Sequence, residues 1–300
     1  MRILSKSDLA ELAGVVDTDS ERVAAAAAEY GCPAYASPAE LAGKIDAAVV
    51  AVPTSLHAEV GCALLDSGAD VLVEKPIAAD LASARRLVET AARHGRILQV
   101  GHLERFNPAV TALKKIVRLP LFFEIHRLSL FSPRSLDVDV VLDLMIHDLD
   151  IVLDLAGMMP EEIRAAGISI LSEKVDIANV RLAFPGGCIA NLTASRVSTE
   201  RVRKLRLFQP HQYISLDYQK QEAVAFTVSG NQQIGFQPLP VAKEEPLRLE
   251  VESFLDAVAR RARPLVPGEE GLRALEVALA ILDKIEAHRK VVAQHIQALP

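Results

Sequence analysis

The chain has 300 residues, of which 50% are hydrophobic and 24% charged, a composition typical of a globular protein large enough for two domains. A net charge of −6 argues against a nucleic-acid partner, and no apolar run reaches the roughly 18 residues of a membrane span, so we expect a cytoplasmic protein that acts on a small molecule. Neither the three cysteines nor the eight histidines have metal-ligand spacing, so we expect no metal.

The first hundred residues alternate β-branched runs with amphipathic segments, which is typical of a parallel sheet wrapped by helices. The pattern predicts strands at residues 10–17, 47–53, 70–74 and 97–101. It predicts helices at residues 20–30, 55–67 and 81–94, the last two ending before a glycine. We therefore expect a Rossmann-like dinucleotide-binding domain over residues 1–103.

The rest of the chain has a different pattern. A helix at 108–117, a strand at 121–129 and a helix at 138–156 precede a region of strand patterns that extends to residue 236, and helices at 246–261 and 268–292 follow. This predicts an α+β domain over residues 104–300 with an open, mainly antiparallel sheet, and an active cleft between the two domains. The open sheet favours a homodimer or homotetramer, and packing of the C-terminal helices on the first domain stays open.

Lys75 stands between Glu74 and Pro76 at the end of the strand predicted at 70–74. Ligands of an open α/β sheet bind at the carboxyl ends of its strands. The Lys75 ammonium can donate to a substrate hydroxyl oxygen and stabilise negative charge there, and Pro76 restricts the backbone after it. The alternative is a surface lysine in a turn.

Asp143 and His147 lie four residues apart in the apolar helix predicted at 138–156, so they share one face. Asp143 can hold one ring nitrogen of His147 and leave the other to accept a hydroxyl proton. Lys75 and His147 are therefore both candidates for the catalytic base, and the sequence does not choose between them.

Asp17 ends the first predicted strand, where an acid accepts hydrogen bonds from an adenosine ribose and favours NAD over NADP. The glycine-rich turn expected about 20 residues before such an acid is missing, since none of the first 13 residues is glycine. Two explanations stay open: the natural product starts about 20 to 30 residues earlier, which we favour, or tight NAD binding has been lost. The predicted sheet is thus a truncated Rossmann sheet.

These motifs, together with residues 49–54, His57 and Gly101-His102, resemble the Gfo/Idh/MocA family of NAD(P)-dependent sugar oxidoreductases over nearly the whole chain. The resemblance implies catalysis by Lys75 and His147 with Asp143. It also implies a set of cofactor-binding residues: Asp17, Thr18, Pro53, Thr54, His57 and Glu74. For His57, an exposed position in the first turn of a helix stays an alternative.

Residues 101–108, 143–150 and 193–196 are similar to family members that oxidise nucleotide sugars, notably UDP-N-acetylglucosamine at C3, for lipid A or surface polysaccharide. That likeness implies substrate binding by Arg105, Asn107 and Arg196. For Arg105 and Asn107 the alternative is a loop and a helix cap, and for the run of basic residues that begins at Arg196 the alternative is a solvated strand face. Two other functions stay open: an inositol or simple sugar dehydrogenase of the same family, or a non-catalytic binding subunit without its cofactor.

Overall fold

The computed structural model describes residues 1–131, 138–228, 230 and 233–297, and residues 295–297 by their backbone alone. The chain divides into two compact units. The first unit comprises Met1–His102 and Glu245–Leu272, and the second comprises Leu103–Glu244 and Arg273–Pro300.

The elements alternate along the first unit and then change to consecutive strands. The strands are β1 Val15–Val16, β2 Ala34–Tyr35, β3 Ala47–Val50, β4 Asp70–Glu74, β5 Leu98–Gly101, β6 Phe122–Leu130, β7 Glu162–Ile168, β8 Ile177–Ala183, β9 Ile189–Ser198, β10 Val202–Gln209, β11 Gln212–Asp217, β12 Glu222–Val228 and β13 Ile234–Pro238. The α-helices are α1 Ser20–Tyr30, α2 His57–Asp66, α3 Leu81–His94, α4 Pro108–Ile116, α5 Ile146–Ala156, α6 Pro246–Arg260 and α7 Gly268–Gln297.

Side-chain caps set the starts of two helices in the first unit, α1 and α3. The carboxylate of Asp19 accepts hydrogen bonds from the backbone N–H groups of Glu21 and Arg22 at the start of α1. Asp80 caps α3 in the same way, and α3 ends at Gly95, whose φ of +59° is readily adopted by glycine. The predicted helices at 20–30 and 81–94 are confirmed with these bounds.

The parallel strands of the first unit form two separate sheets. Strands β3, β4 and β5 pair in that order, whereas β1 and β2 pair with each other. In the described residues, no strand joins β3 to either member of the small sheet. Parallel sheets are usually covered on both faces, yet Val49 of β3 is 39% exposed while β4 is buried through Val73. In the described residues β3 is therefore an edge strand, paired only with β4, and one of its faces is partly uncovered at Val49. We call this unpaired side the open edge of β3.

Two expectations for the first unit were wrong in detail. The strand predicted at 10–17 is limited to Val15–Val16, and the two-residue strand Ala34–Tyr35 was not predicted. A strand of two residues is too short to show an alternating pattern. The helix predicted at 55–67 starts with a 3₁₀ turn over Thr54–Leu56 and becomes α-helical at His57.

The second unit is built on one eight-stranded sheet with the order β13-β12-β11-β10-β6-β9-β8-β7. Neighbouring strands are antiparallel except β6 and β9, which are parallel. Helices α4, α5 and α7 pack on one face, where Phe123 and Ile125 of β6 meet apolar residues such as Leu149 and Ile281. The prediction of a parallel-sheet domain plus an α+β domain with a mainly antiparallel sheet is confirmed.

The other face of that sheet carries a row of aromatic side chains across five strands. They form consecutive ring contacts in the order Phe122, Phe208, Tyr213, Phe226 and Phe236, with centroid separations of 4.8 to 5.8 Å.

No helix among the residues described here combines the length and apolar character needed to cross a bilayer.

Candidate active site

Lys75 directly follows β4, the middle strand of the three-stranded sheet. Val73 of β4 is paired with Val50 of β3 on one side and with Val100 of β5 on the other. The three parallel strands therefore end at one edge, and Lys75 lies at the centre of that edge. The peptide bond between Lys75 and Pro76 is cis. The prediction that a strand ends at Glu74, immediately before Lys75, is confirmed.

Two carboxyl groups lie beside this sheet. A Cβ placed at Gly101 would lie 3.1 Å from Oε2 of Glu74, so the side chain of Glu74 leans over the end of β5. Glu250 of α6 is 1% exposed, and burial, reinforced by the charge of Glu74, raises the pKa of Glu250 to about 8. Its backbone carbonyl accepts a hydrogen bond from the buried Gln99 amide. Sequence reasoning missed Glu250, because nothing in an amphipathic helix pattern marks a glutamate as buried.

The loop after β3 holds three of the predicted cofactor residues. Pro53 lies three residues after the end of β3, Thr54 begins the 3₁₀ turn that follows, and His57 begins α2. His57 is 1% exposed, with Nδ1 2.9 Å from the Pro76 carbonyl oxygen and Nε2 2.9 Å from the Val52 carbonyl oxygen. The alternative of an exposed histidine is therefore wrong. Contact between His57 and a nicotinamide stays a prediction, since both ring nitrogens face backbone.

Asp17 lies one residue after β1, in the other sheet of the first unit, with Thr18 exposed beside it. Oδ1 of Asp17 accepts a hydrogen bond from the backbone N–H of Asp19, and this bond, with help from Arg22, lowers the pKa of Asp17. The carboxylate also forms a 3.2 Å ion pair with Arg22. A carboxylate favours the free ribose of NAD, whereas a neighbouring arginine suits the 2′-phosphate of NADP. The site therefore does not choose between the two cofactors.

The residues of the first unit fit the two ends of a nicotinamide dinucleotide better than its middle. Asp17 offers an acceptor for the adenosine ribose, and Lys75 and Pro53 follow neighbouring strands at one sheet edge. A diphosphate usually binds a glycine-rich turn at a helix N-terminus. In the described part of the first unit no such turn is found, and the N-terminus of α1 is already capped by Asp19.

His147 lies in the first turn of α5 in the second unit, and Asp143 lies in a π-helical turn, Val141–Met145, that leads into α5. The prediction of one continuous α-helix from 138 to 156 was therefore wrong in this segment, because the pattern of apolar residues does not distinguish a π turn from an α turn. Single π turns inside helices are frequent at functional sites. Both side chains are partly exposed although most of their helical neighbours are buried, and the pairing of Asp143 with His147 stays a prediction.

A buried ionic network adjoins His147 in the sequence. Asp148 accepts two hydrogen bonds from Arg127 of β6, at 2.6 and 2.8 Å, and Arg127 also donates to Glu104 at 3.0 Å. Burial alone would lower the pKa of Arg127, but the charge and hydrogen bonds of Asp148, together with the charge of Glu104, raise it. Sequence reasoning missed the network. The signal was there: Arg127 occupies an inward position of β6, two residues after Ile125, where a charge requires a buried partner.

Arg105 and Asn107 use their polar groups inside the second unit. The Arg105 guanidinium pairs with Asp150 at 3.3 Å and Asp154 at 3.0 Å, and its side chain is 3% exposed. Asn107 caps α4 by accepting from the N–H of Ala109. These contacts favour the loop-and-cap alternative that the sequence left open. Substrate binding by either residue stays a prediction.

Arg196 is likewise buried, at 5% exposure. Its Nε donates to Asp176 at 2.8 Å, and its terminal nitrogens donate to the carbonyl of Val138 and the hydroxyl of Ser172. The contacts of Arg196 tie β9 to the loop before β8, which favours a structural role. Contact of Arg196 with a substrate stays a prediction.

The structure thus groups the candidates within each unit. Pro53, Thr54, His57, Glu74 and Lys75 lie around the ends of neighbouring strands β3 and β4. Asp17 and Thr18 follow β1, which belongs to the other sheet of that unit. In the second unit, Asp143 and His147 share one helical segment, and Arg105 and Asn107 belong to the buried polar residues near the start of α4.

The chain combines a parallel-sheet unit, which has a lysine at its sheet edge, with a unit built on an open, mainly antiparallel sheet. The family model for oxidoreductases with an NAD-binding Rossmann fold matches residues 1–102, and that for the GFO/IDH/MocA C-terminal domain matches residues 127–211. The chain belongs to the Gfo/Idh/MocA oxidoreductase family, whose cofactor is a nicotinamide dinucleotide.

Individual relatives agree over nearly the full length. UDP-N-acetylglucosamine 3-dehydrogenase of Acidithiobacillus ferrooxidans is 36% identical over 93% of this chain and 91% of that protein. A solved structure of that dehydrogenase matches with a TM-score of 0.88 over 92% of this chain and 90% of that chain. Inositol 2-dehydrogenase of Rhizobium meliloti is 26% identical over 94% of this chain and 91% of that protein.

Proposed function

We propose that this oxidoreductase oxidises a hydroxyl group of a nucleotide sugar, with C3 of UDP-N-acetylglucosamine as the preferred position. The observation that carries the proposal is the 36% identity to a UDP-N-acetylglucosamine 3-dehydrogenase over 93% of the chain, which spans both units. The identity to an inositol dehydrogenase over a similar length is 26%. The oxidised sugar would then enter lipid A or surface polysaccharide synthesis.

The proposed cofactor is NAD. Asp17 accepts hydrogen bonds from the adenosine ribose, with Thr18 beside it, and its ionised carboxylate repels a 2′-phosphate. Pro53, Thr54, His57 and Glu74 shape the nicotinamide end at the edge formed by β3 and β4. When bound, the nicotinamide supplies the acceptor for the hydride that leaves the sugar carbon.

Lys75 and His147 handle the substrate hydroxyl in this proposal. The Lys75 ammonium donates to the hydroxyl oxygen and stabilises the negative charge that develops there as the proton leaves. His147 accepts that proton at the ring nitrogen not held by Asp143. If Lys75 is instead the base, His147 serves as the hydrogen-bonding partner of the same oxygen. Arg105, Asn107 and Arg196 contribute to the substrate side, Arg105 and Arg196 through electrostatic attraction to the diphosphate.

A substrate panel tests the proposal. The purified protein is mixed with NAD and, separately, UDP-N-acetylglucosamine, UDP-glucose, free N-acetylglucosamine and myo-inositol, and the absorbance of the reduced nicotinamide is followed. We expect turnover with UDP-N-acetylglucosamine that exceeds turnover with the free sugar by at least about tenfold, because the diphosphate contributes binding energy. Turnover of myo-inositol without turnover of any UDP-sugar would overturn the choice of substrate.

The second candidate that the sequence leaves open is a cofactor-deficient, non-catalytic binding subunit. Isothermal titration calorimetry with NAD and with UDP-N-acetylglucosamine separates the two candidates. Binding of the sugar nucleotide without measurable binding of NAD or NADP would favour the second.

A homodimer or homotetramer stays a prediction, as does a cytoplasmic location. The aromatic row on the open face of the eight-stranded sheet supports self-association, because Phe236 is 63% exposed and Phe208 is 37% exposed. Light scattering coupled to size-exclusion chromatography measures the mass in solution. A mass of about 32 kDa at all concentrations would contradict the prediction.

A further inference from the structure

The imidazole of His57 lies between two backbone carbonyl groups. Nδ1 is 2.9 Å from the carbonyl oxygen of Pro76, and Nε2 is 2.9 Å from that of Val52. The residue is 1% exposed and is the first residue of α2. The ring therefore joins two loops of the first unit.

These two loops follow neighbouring parallel strands. Val52 lies two residues after the end of β3 and precedes Pro53, and Pro76 lies two residues after the end of β4 and follows Lys75. The carbonyl held by Nδ1 is thus only one residue away from the lysine at the centre of the sheet edge. The proline ring fixes φ of Pro76, so a displacement of Pro76 that carries this carbonyl is passed to the backbone of Lys75.

The number of ring hydrogens limits what His57 can do. A neutral imidazole has one N–H and can satisfy one of the two carbonyl groups. Pro76 is buried, whereas Val52 is partly exposed, so water can reach the carbonyl of Val52 more easily. An acceptor without a partner is more costly when it is buried. The hydrogen is therefore better placed on Nδ1, where it donates to Pro76.

We propose that His57 is a positioning residue for Lys75, and that its Nδ1–H donates to the Pro76 carbonyl and fixes the backbone that carries the ammonium group. The inference rests on the catalytic role of Lys75 in the proposed function. Displacement of a reacting group by about 1 Å can cost about 100-fold in rate. His57 thus acts on the reaction through Lys75 rather than by contact with the substrate.

Two variants distinguish the contribution of Nδ1 from that of Nε2. The amide nitrogen of His57→Asn lies near the position of Nδ1, and that of His57→Gln lies near the position of Nε2. We expect kcat of His57→Gln to be about 10- to 100-fold lower than kcat of His57→Asn, because only the asparagine amide can replace the hydrogen bond to Pro76, with little difference between the two variants in KM for the sugar. His94→Asn and His94→Gln are the matched controls, since His94 pairs with Asp66 at the surface.

Equal losses of kcat in the two His57 variants, or a larger loss in His57→Asn, would overturn the proposal. So would kcat values unchanged from the wild type in both variants. Melting temperatures of all four variants are measured in parallel. If His57→Gln and His57→Asn melt at the same temperature, a lower kcat in His57→Gln does not come from a loss of folding.

A second measurement needs no turnover. Long-range ¹H–¹⁵N correlation spectra of the ¹⁵N-labelled protein report which ring nitrogen of His57 carries hydrogen. We expect hydrogen on Nδ1, and a larger shift of the Ile77 amide signal in His57→Gln than in His57→Asn. An Nδ1 that carries no hydrogen would overturn the inference. If the wild type oxidises no sugar while both spectral results hold, the proposed function fails and the positioning of the Lys75 backbone stands.

Discussion

The guanidinium of Arg127 on β6 holds the carboxylate of Asp148 on α5 through two hydrogen bonds, from Nε to Oδ2 at 2.6 Å and from Nη2 to Oδ1 at 2.8 Å. Both side chains are 2% exposed. Asp148 directly follows His147, so this ion pair anchors the helical turn that carries His147 to β6 of the same unit. Arg127 is thereby placed to affect both stability and activity.

Replacement of Arg127 by alanine leaves the Asp148 carboxylate buried without its partner. We expect a loss of about 3 to 5 kcal/mol in the free energy of unfolding, measured by urea denaturation. Arg127→Lys keeps the charge but not the bidentate geometry, so its loss should be smaller. The control is Arg206→Lys, which alters an exposed pair with Glu124 on the same sheet and should change stability by less than about 1 kcal/mol. Equal effects of Arg127→Lys and Arg206→Lys would contradict the assignment.

Asp176 predicts a loss of stability in acid. Burial alone would raise its pKa, but the backbone N–H groups of Leu171 and Ile170 and the Arg196 guanidinium hold the pKa of Asp176 well below its usual 3.8. The folded state therefore keeps this carboxylate ionised at a pH where the unfolded chain takes up a proton. Its stabilisation is complete above about pH 5 and is lost as the pH falls through the folded-state pKa.

The variant Asp176→Asn measures that contribution. The difference in unfolding free energy between wild type and variant should be largest at pH 7 and should shrink steadily from pH 5 towards pH 2. Urea denaturation at four pH values suffices. A difference that is the same at pH 7 and pH 3 would show that the carboxylate charge contributes nothing.

Glu250 predicts the opposite dependence. Its folded-state pKa of about 8 lies above the usual 4.5, so the folded state binds the proton more tightly than the unfolded chain. The stabilisation is complete below pH 4.5 and is lost as the pH rises towards 8, at about 1.4 kcal/mol per pH unit. Glu250→Gln should therefore gain stability relative to the wild type as the pH rises from 5 to 8. A difference in melting temperature between the two proteins that stays constant from pH 5 to pH 8 would contradict the raised pKa of Glu250.

The parts of the fold that depend on local signals were predicted well. Asp80 and Gly95 mark the ends of α3 in the sequence, and the run before Lys75 is long and apolar enough to define β4. The parts that depend on distant partners were not. The sequence around Arg127 does not predict its contact with Asp148, and the sequence around Glu250 does not predict that it lies near Glu74, because only the fold brings these pairs together. The placement of Arg196 against Asp176 was missed for the same reason.

The catalytic roles of Lys75 and His147 predict large losses of rate with little loss of cofactor binding. Lys75→Met and His147→Asn should each lower kcat by about 100-fold or more while the Kd for NAD changes by less than about threefold. Lys44→Met and His126→Asn are controls on exposed or partly exposed residues. Stopped assays of sugar oxidation measure kcat, and calorimetry with NAD measures the Kd. Wild-type kcat in either site variant would remove that residue from the mechanism.

The same variants identify the base. The group that accepts the proton must be deprotonated in the productive complex, so kcat of the wild type should rise with pH through its titration. The variant that removes the base should lose this rise, and the other variant should retain it at a lower rate. Asp143→Asn should lower kcat by a smaller factor than His147→Asn, because Asp143 acts only through the ring. A larger effect of Asp143→Asn would contradict that order.

The open edge of β3 predicts uneven hydrogen exchange in the first unit. Strand β4 lies between β3 and β5 and can donate its backbone N–H groups to both neighbours, whereas β3 is paired on one side in the described sheet. Alternate N–H groups of a parallel strand point to opposite sides. We therefore expect about half of the amides in Ala47–Val50 to exchange at least about 100-fold faster than those in Asp70–Glu74, measured by NMR. Uniform protection along both strands would show that the β3 edge is covered in solution, and that the sheet which presents Lys75 is wider than its three hydrogen-bonded strands.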